Sequence, residues 1–317
     1  MQKRKLGNSD LELTVIGLGT WAIGGSWEYG WGPQEDADSI ATIRAALEQG
    51  INWIDTAPAY GCGHSEEVIG LALKGLARKP ILATKCGLGW DAQRRKVNCL
   101  DRKAILAECD ASLRRLGADV IDLYQLHWPV PDNQLEEAWD AMATAQRQGK
   151  VRYLGASNFT TAQLDRVAKI HPPVSMQPPY SMLQRGTEQE MFGYCARHQM
   201  GIVAYSPMQK GLLTGKYNPQ TVAQMAPDDH RHRDPNFHGA RLEANLRLIE
   251  RLLPIAERND RSLSHLAIAW VLRRPEVTAA IVGARKPSQI NETVGAGDWI
   301  LKASEIDEIE QYLAECK

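Results

Sequence analysis

Four ionisable side chains stand where short apolar runs of this sequence end. Asp55 follows the run 51–54, and Tyr60 lies just beyond it in a loop opened by Pro58 and Gly61. Lys85 ends the run 81–84 and His127 ends the run 121–126. An ammonium at the end of a buried strand needs a partner, and Asp55 can supply it. A cation close to a tyrosine favours the phenolate, so a Tyr60 beside Lys85 would be a usable proton donor and acceptor. His127 can donate a hydrogen bond to a substrate oxygen. The set holds an acid/base, its pKa tuner, the tuner's counter-ion and an oxygen-polarising group, but no nucleophile and no metal cage. It suits proton transfer to a carbonyl oxygen while something else delivers hydride.

The elements that must position these groups recur along the chain. Apolar runs at 15–21, 51–54, 81–84, 121–126, 153–156, 174–176, 202–204 and 279–282 alternate with helical patterns at a spacing of roughly 30 residues. Such alternation predicts a closed parallel (β/α)8 barrel, whose chemistry collects where the strands end. Helices are expected at 35–49, 101–116, 135–148 and 187–198, and His64-Ser65-Glu66-Glu67 opens another. Asp101 is placed to cap its helix, and Gly50, Gly117, Gly149 and Gly201 stand where helices should stop. Residues 2–13 read as a hairpin preceding the barrel, turning at Gly7-Asn8-Ser9-Asp10. Before the eighth strand the rhythm breaks. A Pro/His/Asp-rich loop at 219–239, a lid or cofactor clasp, precedes helical patterns at 241–259 and 263–273. The tail at 304–316 reads as a last helix, with Ser304-Glu305-Ile306-Asp307 as its capping box. No linker divides the chain, so residues 1–317 are expected to form one barrel domain.

Bulk properties narrow the function. A formal charge of −1 gives no reason to expect nucleic acid or an anionic membrane as partner. The basic start Met1-Gln2-Lys3-Arg4-Lys5 lacks the apolar stretch of a secretory signal, and no run is long enough to span a bilayer. Six cysteines (62, 86, 99, 109, 195 and 316) without a C-x-x-C pair fit a reduced, cytoplasmic protein, Cys62 being a small neutral filler. Gly17-x-Gly19-x-x-Ala22 matches the dinucleotide-binding fingerprint, but the glycine- and tryptophan-rich stretch from Gly24 to Pro33 cannot be the helix that reading requires. His230, His232 and His238 invite a metal, yet the interleaved Arg231 and Arg233 oppose a cation, so a solvated loop is expected. A barrel glycosidase would need two opposed carboxylates, and only Asp55 stands at a strand end. Trp21, Trp27, Trp31, Trp90 and Trp128 fall in or beside strand-end loops, where they either line an aromatic pocket for aldehydes or ketones or simply pack the loops.

Read in order, the strand ends carry Trp21, Asp55 with Tyr60, Lys85, His127, Ser157-Asn158, Gln177, Tyr205-Ser206 and Arg285-Lys286, while strand interiors are apolar apart from Asn52, Asp122 and Ser175. These residues resemble the aldo-keto reductase superfamily, above all its bacterial members and the related potassium-channel β subunits. The stretches that carry the resemblance are Leu18-Gly19-Thr20-Trp21, Asn52-x-x-Asp55-Thr56-Ala57-x-x-Tyr60-Gly61-x-Gly63-x-Ser65-Glu66, Asp122-Leu123-Tyr124-Gln125-x-His127-Trp128-Pro129, Gly149-Lys150-Val151-Arg152-x-x-Gly155-x-Ser157-Asn158, Tyr205-Ser206-Pro207, Gly211-Leu212-Leu213-Thr214-Gly215-Lys216-Tyr217 and Gly283-Ala284-Arg285.

The resemblance implies a catalytic tetrad of Asp55, Tyr60, Lys85 and His127, with NADPH across the barrel rim and no metal. Tyr60 would be general acid in reduction, with a small-molecule carbonyl as substrate. Ser157, Asn158 and Gln177 would hold the nicotinamide carboxamide, and Tyr205 would stack on its ring. Ser206, Pro207, Met208, Lys210 and Lys216 would line the pyrophosphate, with Thr20, Trp21, Asp55 and Gly283 also against the coenzyme. Gln289 and Glu292 match adenine-side positions. Thr293 stands where many members carry asparagine, and another branch has lysine at the position of Gly283. The alternative reading is an NADPH-binding, redox-sensing barrel with slow turnover. Arg285-Lys286 just before a helix started by Pro287 would independently make an anion site for a 2′-phosphate, favouring NADP(H).

Overall fold

The computed structural model describes residues 1–315; Cys316 lies outside them. The chain opens with an antiparallel hairpin of β1 (Lys3–Lys5) and β2 (Glu12–Thr14). Barrel strands β3 (Ile16–Gly19), β4 (Trp53–Asp55) and β5 (Ile81–Cys86) follow. A second small hairpin, β6 (Leu88–Trp90) with β7 (Lys96–Asn98), then precedes β8 (Ile121–Leu126), β9 (Val151–Ser157), β10 (Ser175–Gln177), β11 (Gly201–Tyr205) and β12 (Val277–Gly283). The eight barrel strands are all parallel, and β12 pairs with β3 to close the ring. This is the (β/α)8 barrel that the spacing of apolar runs predicts. The hairpin β6–β7 was not foreseen. Its polar turn through Arg94 and Arg95, folded on Asp91, carries no apolar run to mark it.

Helices α1 (Asp36–Glu48), α2 (His64–Leu73), α3 (Arg102–Leu116), α4 (Leu135–Arg147), α5 (Thr161–Ala168) and α6 (Met191–Arg197) alternate with the strands. After β11 come α7 (Pro219–Ala223), α8 (Gly239–Glu257) and α9 (Leu263–Leu272), and after β12 come α10 (Pro287–Thr293) and α11 (Ala303–Glu315). Asp101 caps α3, its Oδ1 accepting the Ala104 N–H at 2.9 Å, and Gly117 ends that helix in the left-handed region; such a cap is worth about 1 kcal/mol.

Three local expectations need correction. The helix expected over 187–198 is broken into a 3-10 turn (Gly186–Glu188) and α6, because Glu188 is held by Arg185, Arg273 and the Tyr180 hydroxyl. Gly201 lies inside β11 rather than stopping a helix, and Gln199, at φ 53°, makes the left-handed turn instead. At the tail α11 begins at Ala303, so Ser304 falls within it and Glu305 accepts the Lys302 N–H at 2.8 Å.

Inside the ring, Trp53, Ala83, Leu123, Val203, Ala279 and Ile281 pack on Leu6, Leu11 and Leu13 of the N-terminal hairpin, which floors the barrel. Trp53 is wholly buried and donates its indole N–H to Thr14 O at 2.9 Å. A Cβ on Gly17 would lie 2.0 Å from that indole, and one on Gly19 would lie 2.6 Å from Ile281. The fingerprint glycines thus make room for barrel packing, and the chain after them forms only a short 3-10 turn, Trp21–Gly24. Of the three polar residues in the strand runs, Asn52 and Asp122 are structural. Asn52 accepts the Thr14 N–H and donates to Glu12 O, and Asp122 accepts the Leu82 N–H.

Candidate active site

The parallel register sets Asp55 beside Ala83 and Lys85 beside Gln125. Side chains two apart on a strand share a face, so Asp55, Lys85 and Gln125 all point inward at the rim. Lys85 is wholly buried. Its Nζ donates to Asp55 Oδ1 at 2.5 Å, to Thr56 O at 2.9 Å and to Tyr60 Oη at 3.2 Å. The other Asp55 oxygen accepts Nε2 of Gln125 at 3.1 Å and Nε2 of Gln177 at 2.8 Å. Every acceptor of the buried carboxylate is therefore occupied, as a buried ion pair requires.

Tyr60 is fixed by an interlocked pair of loops. A Cβ on Gly61 would meet Gly24 O at 1.9 Å, so the Tyr60–Gly63 turn and the turn after Trp21 touch backbone to backbone. Beneath them a buried hydroxyl cluster joins three elements. The Ser65 hydroxyl reaches Thr20 Oγ1 at 2.9 Å and Thr56 Oγ1 at 3.1 Å, and the Thr20 hydroxyl donates to Asp55 O at 3.0 Å.

Burial pushes the Tyr60 phenol above its ordinary value; Lys85 opposes that, and Asp55 reinforces it. The sequence expectation that Lys85 would leave Tyr60 depressed is thus overturned for the chain alone, because desolvation and Asp55 outweigh the cation. On Lys85 the largest influence, burial, lowers the pKa, but Asp55 and Tyr60 together raise it above the ordinary value. The phenol is therefore protonated and the amine charged at neutral pH. His127 stands edge-on to Tyr60, ring centroids 6.0 Å apart. Burial first, then Lys85 and Lys96, hold its pKa well below the usual histidine range, so the imidazole is neutral. Its Nδ1 is buried without a hydrogen-bond partner.

Asp55, Tyr60 and His127 line a cleft of about 500 Å³ that also reaches Arg285 and Gln289, with Lys85 buried behind them. Thr20, Trp21, Ser157, Asn158, Gln177, Tyr205, Ser206, Pro207, Met208, Lys210, Lys216 and Gly283 also line it, as do Trp27, Trp31 and Trp128. Besides Lys85, three expected residues do not. Trp90 packs under the Arg115 guanidinium at 5.9 Å, Glu292 pairs with Lys216 at 2.7 Å, and Thr293 is buried with its hydroxyl on Gln289 O. The Asn158 side chain accepts the Tyr205 hydroxyl at 3.0 Å and donates to His127 O at 3.0 Å, joining three strand ends. Asn158, Ser206, Gln209 and Lys210 all have positive φ. Such backbone costs about 1–3 kcal/mol per residue and gathers here at the rim.

Sequence reasoning missed Gln125, Arg231 and Lys96. Gln125 had a signal, since Leu123, Gln125 and His127 alternate toward one face of β8. Arg231 had none. Its guanidinium is bound to Asp229 and the Tyr217 hydroxyl and lies 4.6 Å over the Trp31 ring. His230 beside it is buried between Trp21 and Trp31, at centroid distances of 4.5 and 4.7 Å. The segment 219–239 is thus a strap packed over the cleft, and His230 is a packing residue whose pKa burial lowers to about 4. His232 and His238 bond to Ala226 O and His232 O.

The family model described as aldo/keto reductase matches residues 15–314. The chain belongs to the aldo/keto reductase family. It is 38% identical over 316 residues to the aldo-keto reductase YhdN of Bacillus subtilis, covering 99% of this chain and 94% of that protein. It is 33% identical to an NADH-specific methylglyoxal reductase of Escherichia coli, covering 93% of each. Among solved structures, the glycerol dehydrogenase of Gluconobacter oxydans superposes with a TM-score of 0.90 at 36% identity, covering 99% of this chain and 95% of that one. Aldo/keto reductases are oxidoreductases that work with nicotinamide coenzymes. The cleft fits such a group. Its lining combines the amides and hydroxyl of Ser157, Asn158 and Gln177 with the cations Lys210, Lys216, Arg231 and Arg285, which offer polar and cationic partners. No described helix is long and apolar enough to cross a membrane.

Proposed function

We propose that this reductase uses NADPH to convert aldehydes and ketones to alcohols, with Tyr60 as general acid. The observation that carries the proposal is the hydrogen-bonded chain Asp55–Lys85–Tyr60 beside a neutral His127 at the cleft. When bound, the nicotinamide supplies the hydride. Ser157, Asn158 and Gln177 would hold its carboxamide, Tyr205 would face its ring, and Ser206 to Lys210 with Lys216 would follow the pyrophosphate.

The protein's own part is proton delivery. His127 and Tyr60 would donate to the substrate oxygen, and the raised pKa keeps the phenol protonated until that oxygen gains charge. As the proton leaves Tyr60, the Lys85 ammonium, at 3.2 Å, stabilises the phenolate. Asp55 keeps Lys85 charged in its dry site. Trp21, Trp27, Trp31 and Trp128 would form the apolar wall against the carbonyl substrate. Arg285, the cleft's cation at the α10 end, would favour the 2′-phosphate of NADPH over NADH.

The test is NADPH consumption with a panel of aldehydes and ketones, wild type against Tyr60→Phe, with NADH in parallel. Turnover that falls about 10²–10⁴-fold in the variant, with NADPH preferred, is the expected result. Comparable turnover in both proteins would overturn the assignment of Tyr60.

A further inference from the structure

The cations along the cleft are not equivalent. Lys210 pairs with Asp234, Lys216 with Glu292, and Arg231 with Asp229. Arg285 forms no ion pair among the described residues. Its guanidinium donates only to neutral acceptors, all on one segment between β3 and α1: Gln34 Oε1 at 2.7 Å, Trp31 O at 3.0 Å and Pro33 O. Gln34 returns a bond to Arg285 O at 3.0 Å. The α10 start is also occupied from within, since Gln289 Oε1 accepts the N–H of Arg285 and of Lys286. The anion site expected here is thus held by the protein's own carbonyls.

The segment that Arg285 holds carries Trp31, a wall of the cleft. Trp31 meets Trp21 edge to face at 5.4 Å, and Trp21 lies nearly parallel to Tyr60 at 6.3 Å. Two indoles therefore connect the Arg285 end of the cleft to the proposed acid. A phosphate makes charge-assisted, bidentate bonds with a guanidinium, roughly twice as strong as those to neutral acceptors. It would compete directly for the donors that now hold residues 31–34.

We propose that Arg285 is a positioning residue that couples the coenzyme's 2′-phosphate to the substrate wall, releasing the Trp31 segment when the phosphate takes its guanidinium. The proposal rests on the coenzyme reading above. It assigns coenzyme choice and substrate-pocket shape to one side chain. The phosphate-bearing and phosphate-free coenzymes then present different pockets to the same carbonyl.

The experiment uses adenosine fragments, so that no turnover is required. Binding of 2′,5′-ADP and 5′-AMP is measured by calorimetry and by tryptophan emission, in wild type and in Arg285→Ala, Trp31→Phe and Gln34→Ala. Wild type should bind 2′,5′-ADP about tenfold tighter than 5′-AMP, and only 2′,5′-ADP should change the emission. That change should vanish in Arg285→Ala and in Trp31→Phe. Gln34→Ala removes a competitor for Arg285, so it should bind 2′,5′-ADP several-fold tighter; a merely structural Gln34 would leave affinity unchanged or weaken it. Phosphate discrimination with an emission change that survives Trp31→Phe, or weaker binding by Gln34→Ala, overturns the coupling and leaves the coenzyme reading standing. Failure of both fragments to bind wild type removes both readings.

Discussion

Replacing Lys85 with methionine tests the core of the site, because its consequences for stability and for chemistry can be separated. Methionine keeps the length of the side chain and removes the charge. Asp55 would then be a buried carboxylate held only by Gln125 and Gln177. Breaking one side of a buried pair costs about 3–5 kcal/mol, and the two amide donors place this case near the lower end. For a chain of 317 residues, whose unfolding entropy is about 2 cal/mol/K per residue, that lowers the melting temperature by about 4–6 °C. The chemical effect follows from the direction of each influence on Tyr60. Burial and Asp55 raise its pKa and only Lys85 lowers it, so the variant's phenol moves further up. Alcohol oxidation needs the phenolate, and each unit of upward displacement removes about nine-tenths of it at a fixed lower pH. The pH–rate profile for oxidation should therefore shift to higher pH. Reduction should lose the cation that stabilises the nascent phenolate, about 10²–10⁴-fold. The assays are thermal melts and kcat/KM against pH in both directions. An oxidation profile that stays at its wild-type pH would refute the reasoning, whatever the melt shows.

Three further outcomes are expected. Glu108 on α3 accepts the Gly87 N–H at 2.9 Å, and burial raises its pKa to about 7; its folded value lies above its unfolded one, so its contribution is present at low pH and lost as pH rises through about 7. Glu108→Gln should match wild type near pH 4 and exceed it near pH 8 by about 1–2 kcal/mol after allowance for partial exposure, read from denaturant midpoints. His127→Leu should lower kcat/KM for reduction about 10²–10³-fold without moving any limb of the pH profile, because the imidazole is already neutral; a lost acidic limb would show otherwise. Gly17→Ala puts a methyl 2.0 Å from the Trp53 indole and should cost at least about 1–3 kcal/mol, whereas a wild-type melting temperature would mean that β3 and β4 repack freely.

The barrel and its tetrad were legible because both are written in short-range terms. Apolar runs mark the strands, and the first polar residue after each run marks the rim. What the sequence left out depends on contacts across the fold. Charge counting put a cation beside Tyr60, but the net direction at that phenol is set by desolvation, which no pair of residues reveals. The cations of Arg285 and Arg231 were visible as letters. That one is held by backbone carbonyls of residues 31–34, and the other by Asp229 over the Trp31 ring, follows only from the closed structure. Trp90 illustrates the converse: its place in a strand-end loop suggested the pocket, yet the β6–β7 hairpin turns it onto Arg115.

The hairpin that floors the barrel has a consequence for how the chain is made. Its residues leave the ribosome before any barrel strand, but the groups that receive them come late. Arg4 donates to Val277 O and Leu272 O, the Asp10 N–H reaches the Tyr153 hydroxyl, and Ile16 pairs with Ala280. Until β12 is synthesised, β3 has no neighbour on its outer side and Leu6, Leu11 and Leu13 have no complete lumen to enter. A nascent chain stalled before Val277 therefore holds an open, unpaired strand edge of the kind that templates association. Synthesis of β12 is what turns an adhesive sheet into a sealed one.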